Sequence, residues 1–162
     1  MRFHGVLLSA AAVACGGVSM APDPPAGAVP IVRLRAEAPA FTFQSGFTAR
    51  ERLVVRDAAA WKEVWGRVSA RLTPAPVLPQ VDFAREMLIV AALGERPTGG
   101  YGIVVDSAEA GSGVLLVTVR TIAPGKGCIL TQALTQPVDI ARVPRHEGPV
   151  DFEDRAEIRD CS

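Results

Sequence analysis

Side chains able to carry nucleophilic, metal or proton-transfer chemistry are sparse in this 162-residue chain, and spacing decides what they can do. There are two histidines, His4 and His146, and three cysteines, Cys15, Cys128 and Cys161. His146 sits in Pro144-Arg145-His146-Glu147-Gly148, a polar turn pattern with no nucleophile or metal ligand at a recognisable spacing, and reads as a surface residue. A zinc centre needs three or four ligands, more than one histidine and a pair of bridged cysteines supply. Asp151, Glu153 and Asp154 could in principle divide acid and base roles, but acids this close on a strand pattern read as a solvated face. Gly125-Lys126-Gly127 lacks the spacing and the hydroxyl of a phosphate loop, and Gly99-Gly100-Tyr101-Gly102 lacks the dinucleotide fingerprint. No catalytic residue, metal or cofactor is called for, and the chain reads as non-enzymatic.

The cysteines divide by position. Residues 1–14 carry one positive charge, Arg2, followed by the small apolar run Gly5 to Ala14, which is too short to span a bilayer and suits the core of a signal peptide. His4 would leave with it. Ala12-Val13-Ala14 satisfies the small-x-small rule for cleavage, and Cys15 follows at once. The arrangement resembles a bacterial lipobox, with Ala12 where Leu is usual; in a lipobox the cysteine is acylated and becomes the new N-terminus. Lipidation of Cys15 removes the odd thiol and leaves Cys128 and Cys161, whose wide separation points to a structural disulfide in an oxidising compartment rather than a redox dithiol. The expected location is the bacterial cell envelope, lipid-anchored, with a secreted or periplasmic soluble protein as the alternative. Residues 15–40 hold Pro22, Pro24, Pro25, Pro30 and Pro39 among Gly and Ala, a composition that predicts an extended tether.

Charge narrows the partners. Lys plus Arg and Asp plus Glu stand at 17 each, with no block of either sign, so neither a nucleic-acid surface nor a polybasic membrane patch is supported. Aromatics are few, and no stacking platform for single-stranded nucleic acid is present.

Residues 41–162 carry the patterns of a single folded domain. Phe41 to Gln44 alternates and Ala49 to Val55 ends in β-branched residues, as strands do. Asp57 is a suitable N-cap, after which Trp61, Val64, Trp65, Val68 and Leu72 fall on one face of an amphipathic helix. Pro74, Pro76 and Pro79 end it. Met87 to Leu93 is apolar throughout, which predicts a strand covered on both faces. Further strands are expected near Tyr101 to Val105, Val114 to Thr121, Cys128 to Leu134, Val138 to Val143 and Val150 to Ile158. About seven or eight short strands and one helix predict an α+β domain with a largely antiparallel sheet and the helix packed on it.

One connection is longer than a hairpin requires. Between Leu93 and Tyr101 run Gly94, Glu95, Arg96, Pro97, Thr98, Gly99 and Gly100. Pro97 fits the first corner of a turn, and Gly99 or Gly100 can take positive φ. Arg96, Pro97, Thr98, Gly99, Gly100 and Tyr101 form either a plain structural turn or, with a cation, exposed backbone and an aromatic side by side, a partner-binding surface.

The wording VDFAREMLIVAALGERPTGGYGIVV, followed by VTVRTIAPGKGC, LTQPVDI and ARVPR, resembles the C-terminal domain of the protease complex subunit PrcB family over roughly Val81 to Pro144, with PTGGY the most specific element. The resemblance implies a small exported domain of a lipoprotein that associates with a cell-surface protease, and it brings no catalytic residues. Arg96 to Tyr101 is also similar to the Asn-Pro-Thr-Thr-Gly-Tyr loop of chagasin-type cysteine protease inhibitors, with Arg for Asn, Gly for the second Thr, and no later Arg-Pro-Trp loop. The expected function is that of an envelope lipoprotein whose domain assists or stabilises a protein partner such as an extracytoplasmic protease. The alternative is a protease inhibitor acting through the Arg96–Tyr101 loop.

Overall fold

A computed structural model describes residues 27–34 and 43–161. Among them are seven strands and one helix: β1 (Val32–Arg33), β2 (Arg50–Val55), α1 (Ala58–Ser69), β3 (Glu86–Leu93), β4 (Gly102–Gly111), β5 (Val114–Pro124), β6 (Val138–Pro144) and β7 (Val150–Arg159). They form two sheets rather than the one expected: a four-stranded sheet in the order β1-β6-β3-β2 and a three-stranded sheet in the order β4-β5-β7.

The apolar run of β3 explains the layering. Successive side chains of a strand point to opposite faces. Leu88, Val90 and Ala92 pack with Trp61, Val64, Trp65 and Val68 of α1, while Met87, Ile89, Ala91 and Leu93 pack with Ile103, Val105, Leu115, Val117 and Val119 of the second sheet. The chain is thus helix, sheet, sheet, with β3 in the middle layer and nothing polar tolerated on either face. β6 repeats the logic, with Val138 and Ile140 toward the helix side and Ala141 and Val143 toward the second sheet. Each buried Val, Leu, Ile or Met among them contributes about 1.5–3 kcal/mol by leaving water.

Helix α1 starts where the Asp57 carboxylate accepts from the Ala60 N–H at 2.9 Å, the N-cap the sequence predicts. Its two indoles are satisfied by the proline-rich loop that follows. Trp61 Nε1 donates to the Pro79 carbonyl at 2.9 Å and Trp65 Nε1 to the Pro76 carbonyl at 3.1 Å. Lys62, Glu63, Gly66 and Arg67 face solvent.

The pairing of the named strands is largely antiparallel, as expected; only β5 with β7 runs parallel, because β6, between them in sequence, crosses to the other sheet. Two expectations need correction. Cys128 to Leu134 is not a strand but an irregular segment; its apolar residues read as a core strand, yet Ile129 and Leu134 are exposed. Of Phe41 to Gln44, residues 41–42 lie outside the described residues, and Gln44 makes only an isolated bridge to Gln136.

Residues 27–34, inside the stretch whose composition suggested a tether, pack on the domain. β1 pairs with β6 through Val32↔Arg142 and Arg33↔Ala141, Val29 N–H donates to the Ala108 carbonyl at 2.8 Å, and Leu34 is buried beside the tryptophans. Proline counts masked the alternation of this short edge segment, where a missing N–H at Pro30 is tolerated. Arg33 also reaches inward. Its Nε donates to the buried Asp139 carboxylate at 3.3 Å and its Nη2 to the Val105 carbonyl at 2.6 Å, while Val105 N–H donates to Asp139 at 2.9 Å. One buried carboxylate therefore joins β1, β6 and β4 across the two sheets.

Candidate contact site around the Arg96–Tyr101 loop

The loop begins where β3 leaves the core. Gly94 has φ +81, and a Cβ there would stand 3.0 Å from the Arg50 nitrogen, so only glycine lets the chain turn past the start of β2. Glu95 N–H then donates to the Thr48 carbonyl at 3.0 Å. From Arg96 onward the loop is laced to the segment 131–136. Arg96 and Thr135 exchange backbone bonds, Thr135 Oγ1 donates to the Thr98 carbonyl at 2.9 Å, and Gly99 N–H donates to the Thr131 carbonyl at 2.9 Å. Arg96 Nη2 returns to the Leu93 carbonyl at 2.9 Å, with its guanidinium 5.8 Å from the centre of the Tyr101 ring. Gly100 supplies the positive φ, +84, and its missing Cβ leaves room for Leu130 and Pro124.

All six residues of Arg96, Pro97, Thr98, Gly99, Gly100 and Tyr101 thus lie in one ordered connection, held along one side by the irregular segment that the sequence suggested as a strand. Pro97 and Gly100 are exposed, and the other four are half-buried. This is the lacing of a structural connection, and it leaves one solvent-facing side of fixed shape.

Two shallow grooves open beside that side. One, of about 160 Å³, is lined by Leu93, Arg96, Tyr101, Ile122, Ala156 and Ile158. The other, of about 130 Å³, is lined by Gly100, Pro124, Ile129, Leu130 and the disulfide. Ile129 is 103% and Ile158 75% exposed, so apolar side chains stand in water on both flanks of the loop. Sequence reading missed these walls. Ile158 falls in the expected strand Val150 to Ile158 and Ile129 in the expected strand Cys128 to Leu134, and neither pattern marks its isoleucine as exposed.

The cysteines hold this end together. Cys128 and Cys161 are bridged, with Cα atoms 4.8 Å apart. Around the bridge Gly125 N–H donates to the Arg159 carbonyl at 2.7 Å, Cys161 N–H to the Lys126 carbonyl at 2.9 Å, and Lys126 N–H to the Asp160 carboxylate at 2.8 Å. A Cβ on Gly127, at φ +75, would fall 2.1 Å from the Cys161 carbonyl. Cys15 lies outside the described residues. His146 stands apart from the loop on the β6–β7 connection, its Nε2 3.1 Å from the Gly113 carbonyl.

The electrostatics of β7 come from arginine–carboxylate pairs. Arg120 bonds Asp106 at 2.8 Å and Glu157 at 2.5 Å; its hydrogen bond holds the Asp106 carboxyl below the ordinary carboxylate range, and the bonds from Arg120 and Arg159 do the same for Glu157. Asp154 takes Arg50 at 2.6 Å and Arg52 at 2.5 Å. Burial is the largest single influence on it and pushes its carboxyl up, but the two guanidinium groups together overcome it and hold the group below its ordinary value.

No curated protein and no solved structure matches the chain. Residues 87–144, running from β3 through the loop and the β4–β5 hairpin to the end of β6, match the family described as PrcB C-terminal, the family that the motifs of this stretch resemble.

Proposed function

We propose that this is a non-enzymatic binding domain, exported and anchored to the bacterial envelope through an acylated Cys15, which assists or stabilises an extracytoplasmic protein partner, with a protease the leading case. The contact surface is the exposed side of Arg96 to Tyr101 together with the two flanking grooves. The observation that carries this reading is the pairing of a rigidly backed loop with large apolar side chains, Ile129 and Ile158, left in water beside it. Exposed apolar groups clustered at one site mark protein contacts more often than solvated faces do, and a pre-organised loop binds without the cost of ordering it. The protease is suggested by the PrcB match over residues 87–144 and by the family resemblance of the PTGGY wording.

The experiment is site-specific photocrosslinking in intact envelopes, with the reactive residue placed at Pro97 or Ile129 and, as control, at Glu63 on the exposed face of α1. A single extracytoplasmic protein recovered from the first two positions and not from the third supports the proposal. Failure to recover any reproducible partner from either loop position overturns it.

A further inference from the structure

Among the described residues, β7 is hydrogen-bonded on one side only. It pairs with β5 in parallel from Leu115↔Val150 to Pro124↔Arg159, and among the described residues no strand pairs with its other edge. Which groups face that edge follows from two bonds: Pro149 O accepts from Leu115 N–H at 3.0 Å and Arg159 O from Gly125 N–H at 2.7 Å. Backbone groups alternate sides along a strand. The odd-numbered residues therefore bond β5, and the N–H and C=O groups of Phe152, Asp154, Ala156 and Ile158 point to the open edge. The odd-numbered side chains, Glu153, Arg155, Glu157 and Arg159, lie together on the outer face as the alternating series acid, base, acid, base.

We infer that two copies of this chain pair through these edges, antiparallel, about a twofold axis at Ala156. Ala156 then faces Ala156 of the second copy and exchanges both backbone bonds with it, and Asp154 and Ile158 face each other likewise. The odd-numbered residues fall at the non-hydrogen-bonded positions, where side chains come closest. Glu153 meets Arg159, and Arg155 meets Glu157, each twice by symmetry.

Charge complementarity selects this register over its neighbours. Centring the pair on Arg155 sets that residue against itself and Glu153 against Glu157. Centring it on Asp154 sets Asp151 against Glu157 and Asp154 against itself. Centring it on Glu157 sets Arg155 against Arg159. Like charges directly opposite destabilise a strand pair; centring on Ile158 also avoids them but makes only the Glu157–Arg159 pairing, whereas the Ala156 register makes both Glu153–Arg159 and Arg155–Glu157. Small Ala156 at the axis brings no bulk between the backbones. A twofold edge pairing is isologous and closes at two copies, giving one six-stranded sheet in the order β4-β5-β7-β7-β5-β4.

Sedimentation of the purified full chain tests the inference. The expected mass is twice that of the 17.1 kDa chain. Glu153→Arg and Arg159→Glu, each alone, oppose like charges and are expected to shift the mass to one chain; the two together restore unlike pairs and should restore the dimer. Ala156→Pro removes an N–H that does not bond β5, so it should give a folded single chain, checked by circular dichroism. A wild-type chain that stays at single mass at high concentration, an assembly larger than two, single charge variants that remain dimeric, or a double variant without rescue would each overturn it.

Discussion

Arg96 and Thr135 exchange both backbone hydrogen bonds, Arg96 N–H to the Thr135 carbonyl at 2.8 Å and Thr135 N–H to the Arg96 carbonyl at 3.0 Å. The exchange joins the start of the contact loop to the irregular segment before β6, and Thr135 adds its hydroxyl bond to Thr98 on the far side. Thr135→Val keeps the shape but drops that bond and leaves the Thr98 carbonyl short of a partner. The expected loss is about 1 kcal/mol of global stability, with faster amide exchange at Gly99. Unchanged exchange across the loop would show that the lacing does not order it.

The core was legible because β3 announces its two-faced burial by being apolar at every position, and α1 by Asp57 and the spacing of the tryptophans. The second sheet was not, since whether Val114 to Thr121 joins the same sheet as Met87 to Leu93 depends on pairing between segments far apart in sequence. The loop Arg96 to Tyr101 could be picked out by its length and turn residues. Its support could not, because Leu130, Thr131 and Thr135 act through backbone carbonyls and through space vacated at Gly100, which leave no periodic pattern. Arg33 was hidden for another reason: proline-rich composition is a poor guide to eight residues that add themselves to a sheet edge.

Two glycines separate backbone necessity from mere occupancy. At Gly100, φ is +84 and a Cβ would meet Leu130 at 2.7 Å; Gly100→Ala should cost about 1–2 kcal/mol for the left-handed backbone alone, with some further loss as Leu130 shifts. Gly66 lies within α1 with nothing within 4 Å of a Cβ, and Gly66→Ala should stabilise by about 0.5–1 kcal/mol. Urea denaturation of both variants checks the opposed signs.

Cys161 lies beyond the end of β7, and its bridge to Cys128 ties that end to the segment after β5. The bridge to Cys128 closes a separation of 33 residues, worth about 3–4 kcal/mol in the chain-entropy account. Cys161→Ser should lower stability by that order and speed exchange of amides near Arg159 more than those in β3. Equal loss of protection in both strands would mean that the bridge acts on the whole domain rather than on its end.

Arg33 donates to the buried Asp139 carboxylate at 3.3 Å. Arg33→Ala withdraws a charge-assisted bond from a buried acid and should cost about 1.5–3 kcal/mol, more than loss of any of the exposed pairs. Arg33→Lys should recover little, because one ammonium cannot bond both the Asp139 carboxylate and the Val105 carbonyl from one planar group. Thermal melts of the two variants beside the wild type read this directly.

Asp154 links β7 to β2 through Arg50 and Arg52, and its carboxyl is held below the ordinary value of 3.8. A carboxyl that releases its proton more readily in the folded state than in the unfolded one stabilises the fold above the unfolded pKa, and that contribution disappears as pH falls through the folded one. Because the group is partly exposed, solvent screens the pair, and about 0.2–1 kcal/mol is expected at neutral pH. Asp154→Asn should therefore be less stable than the wild type at pH 7, with the gap closing as pH drops below 3.8. Urea midpoints measured across pH for both proteins should converge on the acid side. A gap that is constant with pH would show that Asp154 acts by packing and not by its charge.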